Sequence, residues 1–253
     1  VDPLAFVTHA ARDAGALLRE RFSLPRQIEE KRTHDIVTDA DRASEALIVA
    51  RVRATFPNAA ILGEESGASA GSSAERFIID PLDGTTNYAH RYPLFCVSIA
   101  YERDGVLEAG AVYAPLLDEL FAARRGGGAT RNGTPIAVSR IARVTDALVC
   151  TGFQPGGYAR NAVQFASLSA RAQAVRRDGT AALDLAYVAA GIYDAFWEFE
   201  LKPWDIAAGW LLIEEAGGRV GAIDGGILAL NEGSILATNG ALHAEMEIAL
   251  NAR

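Results

Sequence analysis

The segment Asp80-Pro81-Leu82-Asp83-Gly84-Thr85-Thr86-Asn87 carries the densest chemistry in the chain. Asp80 ends the apolar run Phe77-Ile78-Ile79. Pro81 donates no backbone hydrogen bond and restricts the residue before it. Asp80 and Asp83 can therefore curl around one locus, with the Leu82 carbonyl beside them. Carboxylates and a carbonyl are hard oxygen ligands, the set that suits magnesium or manganese. Gly84 permits close backbone approach, and the Gly84 and Thr85 amides can face a phosphate where a helix begins. Thr85 adds a hydroxyl that can orient water. The same residue types also make surface turns, since Asp-Gly is common there.

Three more stretches are acidic: Asp35-Ile36-Val37-Thr38-Asp39-Ala40-Asp41, Gly63-Glu64-Glu65-Ser66, and Trp204-Asp205-Ile206-Ala207-Ala208-Gly209. Asp41 reads as the N-cap of a following helix, and Asp205 as a cap, a ligand or both. Glu64-Glu65 reads equally well as a solvated face. Buried like charges repel unless a cation neutralises them, so convergence of these carboxylates implies a metal. The histidines do not make a zinc site: His9, His34, His90 and His243 are scattered, with no HExxH spacing. His9 is expected on a helix surface, and His34 and His90 are candidates for the rim of the acidic site. Cys96 and Cys150 sit in apolar strand contexts and read as buried structural thiols, with Cys96 near the site. Gly126-Gly127-Gly128 lacks the Gly-Lys-Ser/Thr of a phosphate loop and reads as a connection between strands.

The elements that position these residues follow from periodicity. Residues 3–22 predict a helix, because Leu4, Val7, Ala11, Ala14, Leu17, Leu18 and Phe22 recur near every 3.6 residues. Residues 41–54 predict a second, closed by Pro57-Asn58. The Ser/Gly/Ala stretch 66–75 predicts a flexible loop. Strands are expected at 77–79, 96–101, 109–114, 119–124, 148–151, 192–197, 219–223 and 235–238, with a tight turn at Asn132-Gly133. Helices are expected at 160–172, 181–190 and 205–215, the last stopped by Gly217-Gly218. The alternation predicts a layered α/β or α+β fold, with more antiparallel pairing than a doubly wound sheet has.

Composition narrows the function. Half of the 253 residues are apolar and 22% are charged, which excludes wholesale disorder, a coiled-coil rod and a collagen-like chain. The 24 basic against 32 acidic residues give a net charge of -8, which argues against direct nucleic-acid binding. A small phosphorylated substrate stays compatible, because a metal ion reverses the local field. No apolar run reaches the roughly 20 residues that span a bilayer, so no membrane partner is expected. With no signal segment in the chain, a cytoplasmic setting is expected.

At Asp35–Asp41, Gly63–Ser66, Asp80–Asn87, Gly179-Thr180-Ala181-Ala182 and Trp204–Gly209 the chain resembles the inositol monophosphatase family, nearly end to end. The run Glu200-Leu201-Lys202-Pro203-Trp204-Asp205, followed by Leu212–Gly218, is especially similar to the bacterial members. The resemblance implies a layered αβαβα sandwich like that of the fructose-1,6-bisphosphatases. It is expected as one catalytic domain over residues 1–253, or as two lobes, 1–145 and 146–253. It further implies a homodimer, two or three Mg2+ ions (with Mn2+ as a substitute) and sensitivity to lithium. For bacterial members it implies a protein partner in the transcription machinery.

By position, the resemblance makes Glu64, Asp80 and the Leu82 carbonyl ligands of a first metal. Asp80, Asp83 and Asp205 become ligands of a second, and Glu64 with waters serves a third. Asp41 and Thr85, with Glu64, would orient the attacking water or take its proton. The Gly84 and Thr85 amides would hold phosphate. Gly179, Thr180, Ala181, Glu198, Asp83 and Asp205 would contact a phosphorylated polyol. The implied reaction is direct hydrolysis of myo-inositol monophosphate to inositol and phosphate. Histidinol phosphate, sugar phosphates and nucleotide phosphates are the alternative substrates. A fold retained for a transcription-complex role is the non-enzymatic alternative.

Overall fold

The amphipathic N-terminal run forms α1 (Pro3–Arg21), with Val7, Ala11, Ala14 and Leu18 fully buried along one face. Asp2 caps it by accepting from the Leu4 N–H at 3.2 Å. The structure, a computed structural model, describes residues 1–24, 26–32, 35–154 and 158–251. His34, expected near the rim, and the side chain of Asp35 lie outside the described part.

A hairpin of β1 (Ile28–Arg32) and β2 (Asp35–Thr38) leads into α2 (Asp39–Thr55). There follow β3 (Ala60–Gly63), β4 (Gly67–Ser69), β5 (Glu75–Asp83), the short α3 (Thr85–Ala89), β6 (Cys96–Arg103), β7 (Val106–Ala114), β8 (Glu119–Arg124), β9 (Gly128–Arg131) and β10 (Thr134–Pro135). The strands from β3 onward form an eight-stranded sheet in the order β10-β9-β8-β7-β6-β5-β3-β4, antiparallel except where β3 runs parallel to β5. The chain continues through β11 (Leu148–Thr151), α4 (Tyr158–Ser169), β12 (Ala174–Arg176), α5 (Ala181–Ala189), β13 (Ala195–Glu198), α6 (Pro203–Glu215), β14 (Arg219–Ala222), β15 (Ile235–Thr238) and α7 (His243–Asn251). These strands form a mixed five-stranded sheet, β12-β11-β13-β15-β14.

Five layers result, the expected αβαβα sandwich. Along β6 and β7 the side chains alternate between two apolar cores. Val97, Ile99, Tyr101, Ala109, Ala111 and Tyr113 face α1 and α2, while Cys96, Ala100, Val112 and Ala114 face α5 and α6. Burial on both faces is the reason these strands read as apolar throughout. The outer face of the five-stranded sheet is covered by α4 and α7, around Trp197, Leu168, Leu242 and Met246. No helix among the described residues is long and apolar enough to cross a membrane.

The expected flexible loop at 66–75 is corrected in part. Gly67–Ser69 pairs with β3, and the Ser72 and Ser73 amides donate to the Asn58 carbonyl at 2.8 and 3.1 Å. Small side chains let this backbone lie against its neighbour instead of leaving it free.

The central helices lie unusually close. A methyl group built on Gly209 of α6 would stand 2.5 Å from Leu185 Cβ on α5. Gly209→Ala gains about 1 kcal/mol of helix propensity. Overpacking against a Cβ that cannot swing aside costs about 1–3 kcal/mol. We expect a net loss, read as a lower urea midpoint with an unchanged slope.

Candidate active site

The acidic motif works through a bulge. In the pairing of β5 with β6, Asp80 lies opposite Ser98, but Asp83 lies opposite Cys96. Three steps on one strand match two on the other. The extra residue, at Pro81-Leu82, brings Asp80 and Asp83 to the same face, where regular alternation would place them on opposite faces. The Leu82 N–H donates to Asp80 Oδ1 at 3.0 Å, and Ser44 of α2 donates to the Pro81 carbonyl at 2.7 Å. Gly84 then takes φ 91°, which glycine adopts without strain, and caps α3.

Helix α2 supplies two acids on its buried stripe. Asp41 and Glu45 share a face with Ile48 and Val52. The expectation of Asp41 as N-cap is corrected: Thr38 is the cap, and Asp41 sits three residues inside. Its Oδ2 accepts from the Thr38 N–H at 2.9 Å and the Thr38 hydroxyl at 2.5 Å. Its Oδ1 accepts from the Thr85 hydroxyl at 2.8 Å, while that hydroxyl also lies 3.0 Å from the Leu82 carbonyl. Asp41, Thr85 and Leu82, drawn from two separate motifs, are thus in direct contact. Glu45 was not anticipated. It accepts from the Glu65 and Ser66 amides at 2.9 and 2.7 Å and so shapes the turn carrying Glu64. A carboxylate in the apolar stripe of α2, four residues after Asp41, was the available signal.

Asp83 is held from the far side of the cleft. Thr180 donates its hydroxyl to Asp83 Oδ2 at 2.8 Å, and the Ala182 N–H donates to the same oxygen at 2.6 Å. Both of these donors converge on Oδ2. Asn87 Nδ2 donates to the Asp178 carbonyl at 2.8 Å, tying the Gly179–Ala181 stretch to α3. Asp205 is also not its helix's N-cap. It sits at the third helical position and accepts from the Lys202 N–H at 2.6 Å. Glu198 ends β13 and packs against Gly152, where a methyl group would come 2.1 Å from Glu198 Oε2.

The electrostatics show what the cluster demands. Burial, then the charges of Glu64, Asp83 and Asp205, push the Asp80 carboxyl far above its usual range. Burial raises Glu64 to about 8, with Asp205, Glu65 and Asp41 adding to the shift and Lys31 opposing it. Asp205 rises to about 7 through burial and the Asp83 charge. Asp83 rises to about 6 through burial, restrained by the Thr180 and Ala182 hydrogen bonds. Glu198 is pushed well up by burial and by the Asp205 and Asp83 charges. Carboxyls packed this closely ionise together only if a cation joins them. Carboxylates and a carbonyl are the hard oxygen donors that suit such an ion.

Lys31 of β1 was not anticipated either. Its ammonium lies 3.3 Å from Glu64 Oε1 and also pairs with Glu65. Burial pulls its pKa down, but the two glutamates outweigh that and hold it up at about 12. Of the histidines, His9 and His90 are exposed, while His243 is buried with its ring 3.0 Å from the Thr238 hydroxyl. Both cysteines are buried, as expected, and Cys96 Sγ lies 3.7 Å from Asp83 Oδ2.

An αβαβα sandwich with buried carboxylates converging from both sheets defines a hydrolase of the metal-dependent phosphomonoesterase class. The sequence profile of the inositol monophosphatase family matches residues 2–252, and the chain belongs to that family. It is 45% identical over 258 residues to an inositol-1-monophosphatase of Synechocystis sp., covering 98% of this chain and 88% of that one. It is also 45% identical over 247 residues to the Nus factor SuhB of Pseudomonas aeruginosa, covering 93% and 91%. The crystal structure of extragenic suppressor protein SuhB from Bartonella henselae superposes with a TM-score of 0.95 at 40% identity, covering 98% of each chain.

Proposed function

We propose that this chain hydrolyses myo-inositol monophosphate to inositol and phosphate with magnesium. One observation carries the reading: the charges of Glu64, Asp83 and Asp205 all act on the buried carboxyl of Asp80. Glu64, Asp80, Asp83, Asp205 and the Leu82 carbonyl would hold two Mg2+ ions, and Glu64 with waters a third. Bound there, magnesium lowers the pKa of water and neutralises phosphate charge.

The chain's own groups do the positioning. Thr38 fixes Asp41, Asp41 holds the Thr85 hydroxyl, and the Thr85 oxygen orients the attacking water. Glu64 or Asp41 takes its proton. The Gly84 and Thr85 amides, at the start of α3, would hold the phosphate oxygens. Gly179, Thr180, Ala181 and Glu198 line the side where the polyol hydroxyls would sit. Attack in line with the leaving alkoxide needs no covalent intermediate. Lithium sensitivity and a homodimer belong to the same reading.

The test is phosphate release from D- and L-inositol 1-phosphate, beside histidinol phosphate and fructose 1,6-bisphosphate. Each is run with magnesium, with EDTA, and with magnesium restored. Restored release chiefly from an inositol phosphate is the expected result. Release confined to another ester would keep the site and overturn the substrate.

A second reading rests on the relatives named Nus factor SuhB. It holds that the chain also binds a protein of the transcription machinery. Capture of RNA polymerase or its factors by the wild type and by a metal-site variant alike would separate that role from hydrolysis.

A further inference from the structure

Behind the candidate active site lies a second group of metal-ligating side chains that the proposed hydrolysis leaves unused. Cys150 on β11, Asp178 in the segment before α5, and Asp184 on α5 each place one ligand atom within 4.8 Å of the other two. Cys150 and Asp184 are buried, and Asp178 is half-buried at the group's edge. Neither oxygen of Asp184 has a hydrogen-bond partner among the described residues, although the side chain is only 1% exposed. A buried carboxylate without donors is costly, because its lost hydration is not replaced. The charges that act on it are also unfavourable: with burial, acidic Asp178, Asp83 and Glu198 push its carboxyl far up, and the neighbouring Cys150 thiol offsets this only in part. The same surroundings push the Cys150 thiol far up.

We propose that Cys150, Asp178 and Asp184 form a second metal site, built for a zinc-type divalent cation. The donor set decides the ion. Magnesium takes oxygen in octahedral geometry and does not favour sulfur. One thiolate and two carboxylates suit a borderline ion such as zinc, with a water as fourth ligand. The ion entering would displace two protons to solvent, from the Cys150 thiol and the Asp184 carboxyl, so its two charges are balanced. Tyr193 supports the arrangement by donating its hydroxyl to Asp178 Oδ2. Such outer contacts orient ligands and tune affinity.

Placement gives the site a consequence. The ion would join β11 to both ends of the segment 178–184. That segment contains the Thr180 hydroxyl and Ala182 N–H that fix Asp83 Oδ2. It also contains the Asp178 carbonyl that receives Asn87. The second site would thus brace the wall that holds Asp83, without itself touching substrate.

The test uses Co2+ as a spectroscopic probe. Chelator-stripped protein is kept in saturating Mg2+, so that the hard oxygen site is filled, and titrated with Co2+. The expected result is a near-ultraviolet thiolate-to-cobalt band that saturates at one ion per chain and is abolished by added Zn2+. The band should persist in Cys96→Ser and vanish in Cys150→Ser. Asp184→Asn, close in shape, should raise the midpoint by at least about tenfold. It carries the comparison if Cys150→Ser does not fold by circular dichroism. Absence of the band in wild type would overturn the proposal, as would a band retained in Cys150→Ser or lost in Cys96→Ser. None of these readouts depends on phosphatase activity, so failure here and failure of the proposed hydrolysis are separable.

Discussion

Asp83→Asn is expected to lower kcat by roughly 10³-fold while the protein stays folded. The variant's amide oxygen can still accept from Thr180 and Ala182, the two donors that fix Asp83 Oδ2. The local structure therefore has little reason to move. What is lost is a negative charge in a cleft where Asp80 and Asp205 lie nearby. Removing a buried like charge relieves repulsion, so the metal-free variant should melt no lower than wild type. Removing a ligand has the opposite effect on the reaction. Ion-assisted charge stabilisation is worth several kcal/mol, and each 1.36 kcal/mol is about tenfold in rate. Turnover at saturating Mg2+, measured beside a thermal melt, checks both halves. Near wild-type turnover would remove Asp83 from the reacting centre.

The acidic residues of this site were legible as a set, but their geometry was not. Asp80 and Asp83 announce themselves by type and spacing. The bulge that turns them to one face depends on which β6 residues they oppose, and that register is a long-range property. The apolar run alone places this strand at 77–79, ending on Asp80. The chain continues, since Pro81 falls where the ladder is already disrupted.

Asp41 and Asp205 were misplaced for a common reason. An aspartate before an apolar helix suits the N-cap and the third helical position alike. Thr38 three residues before Asp41 was the clue, because hydroxyl and acid at that spacing cap each other reciprocally. Asp205 offers no such clue, since its partner is the Lys202 backbone. The strands β6, β7 and β8 were readable because both faces are apolar and their turns carry Asp-Gly or lie between continuous runs. The three residues of β4 were not. Gly-Ala-Ser has little strand propensity, and it extends only because β3 presents an open edge. The contact of Lys31 with Glu64 joins a hairpin to a strand end 33 residues away, and no local pattern encodes it.

The same crowding of carboxyls predicts how stability responds to pH. In the chelated protein Glu64, Asp205 and Asp83 hold their protons up to about 8, 7 and 6. In the unfolded chain such groups release them near pH 4. Between those values the folded state binds more protons than the unfolded one. Stability must then fall as pH rises, with the full contribution present below about pH 4 and lost by about pH 8. Each unit of difference is worth about 1.4 kcal/mol, so even a heavily discounted sum over three buried acids reaches a few kcal/mol. That corresponds to about 5–10 °C in Tm for a chain of this size. Melts in EDTA from pH 5 to pH 9 should show the decline. Mg2+ should restore the loss most strongly at the alkaline end, because a cation that binds the ionised cluster stabilises only the folded state. Lys31 does not disturb this window, since its ammonium stays charged to about 12. A chelated protein that gains stability between pH 5 and pH 8 would mean that the acids ionise freely, and the cluster would then have no need of a cation.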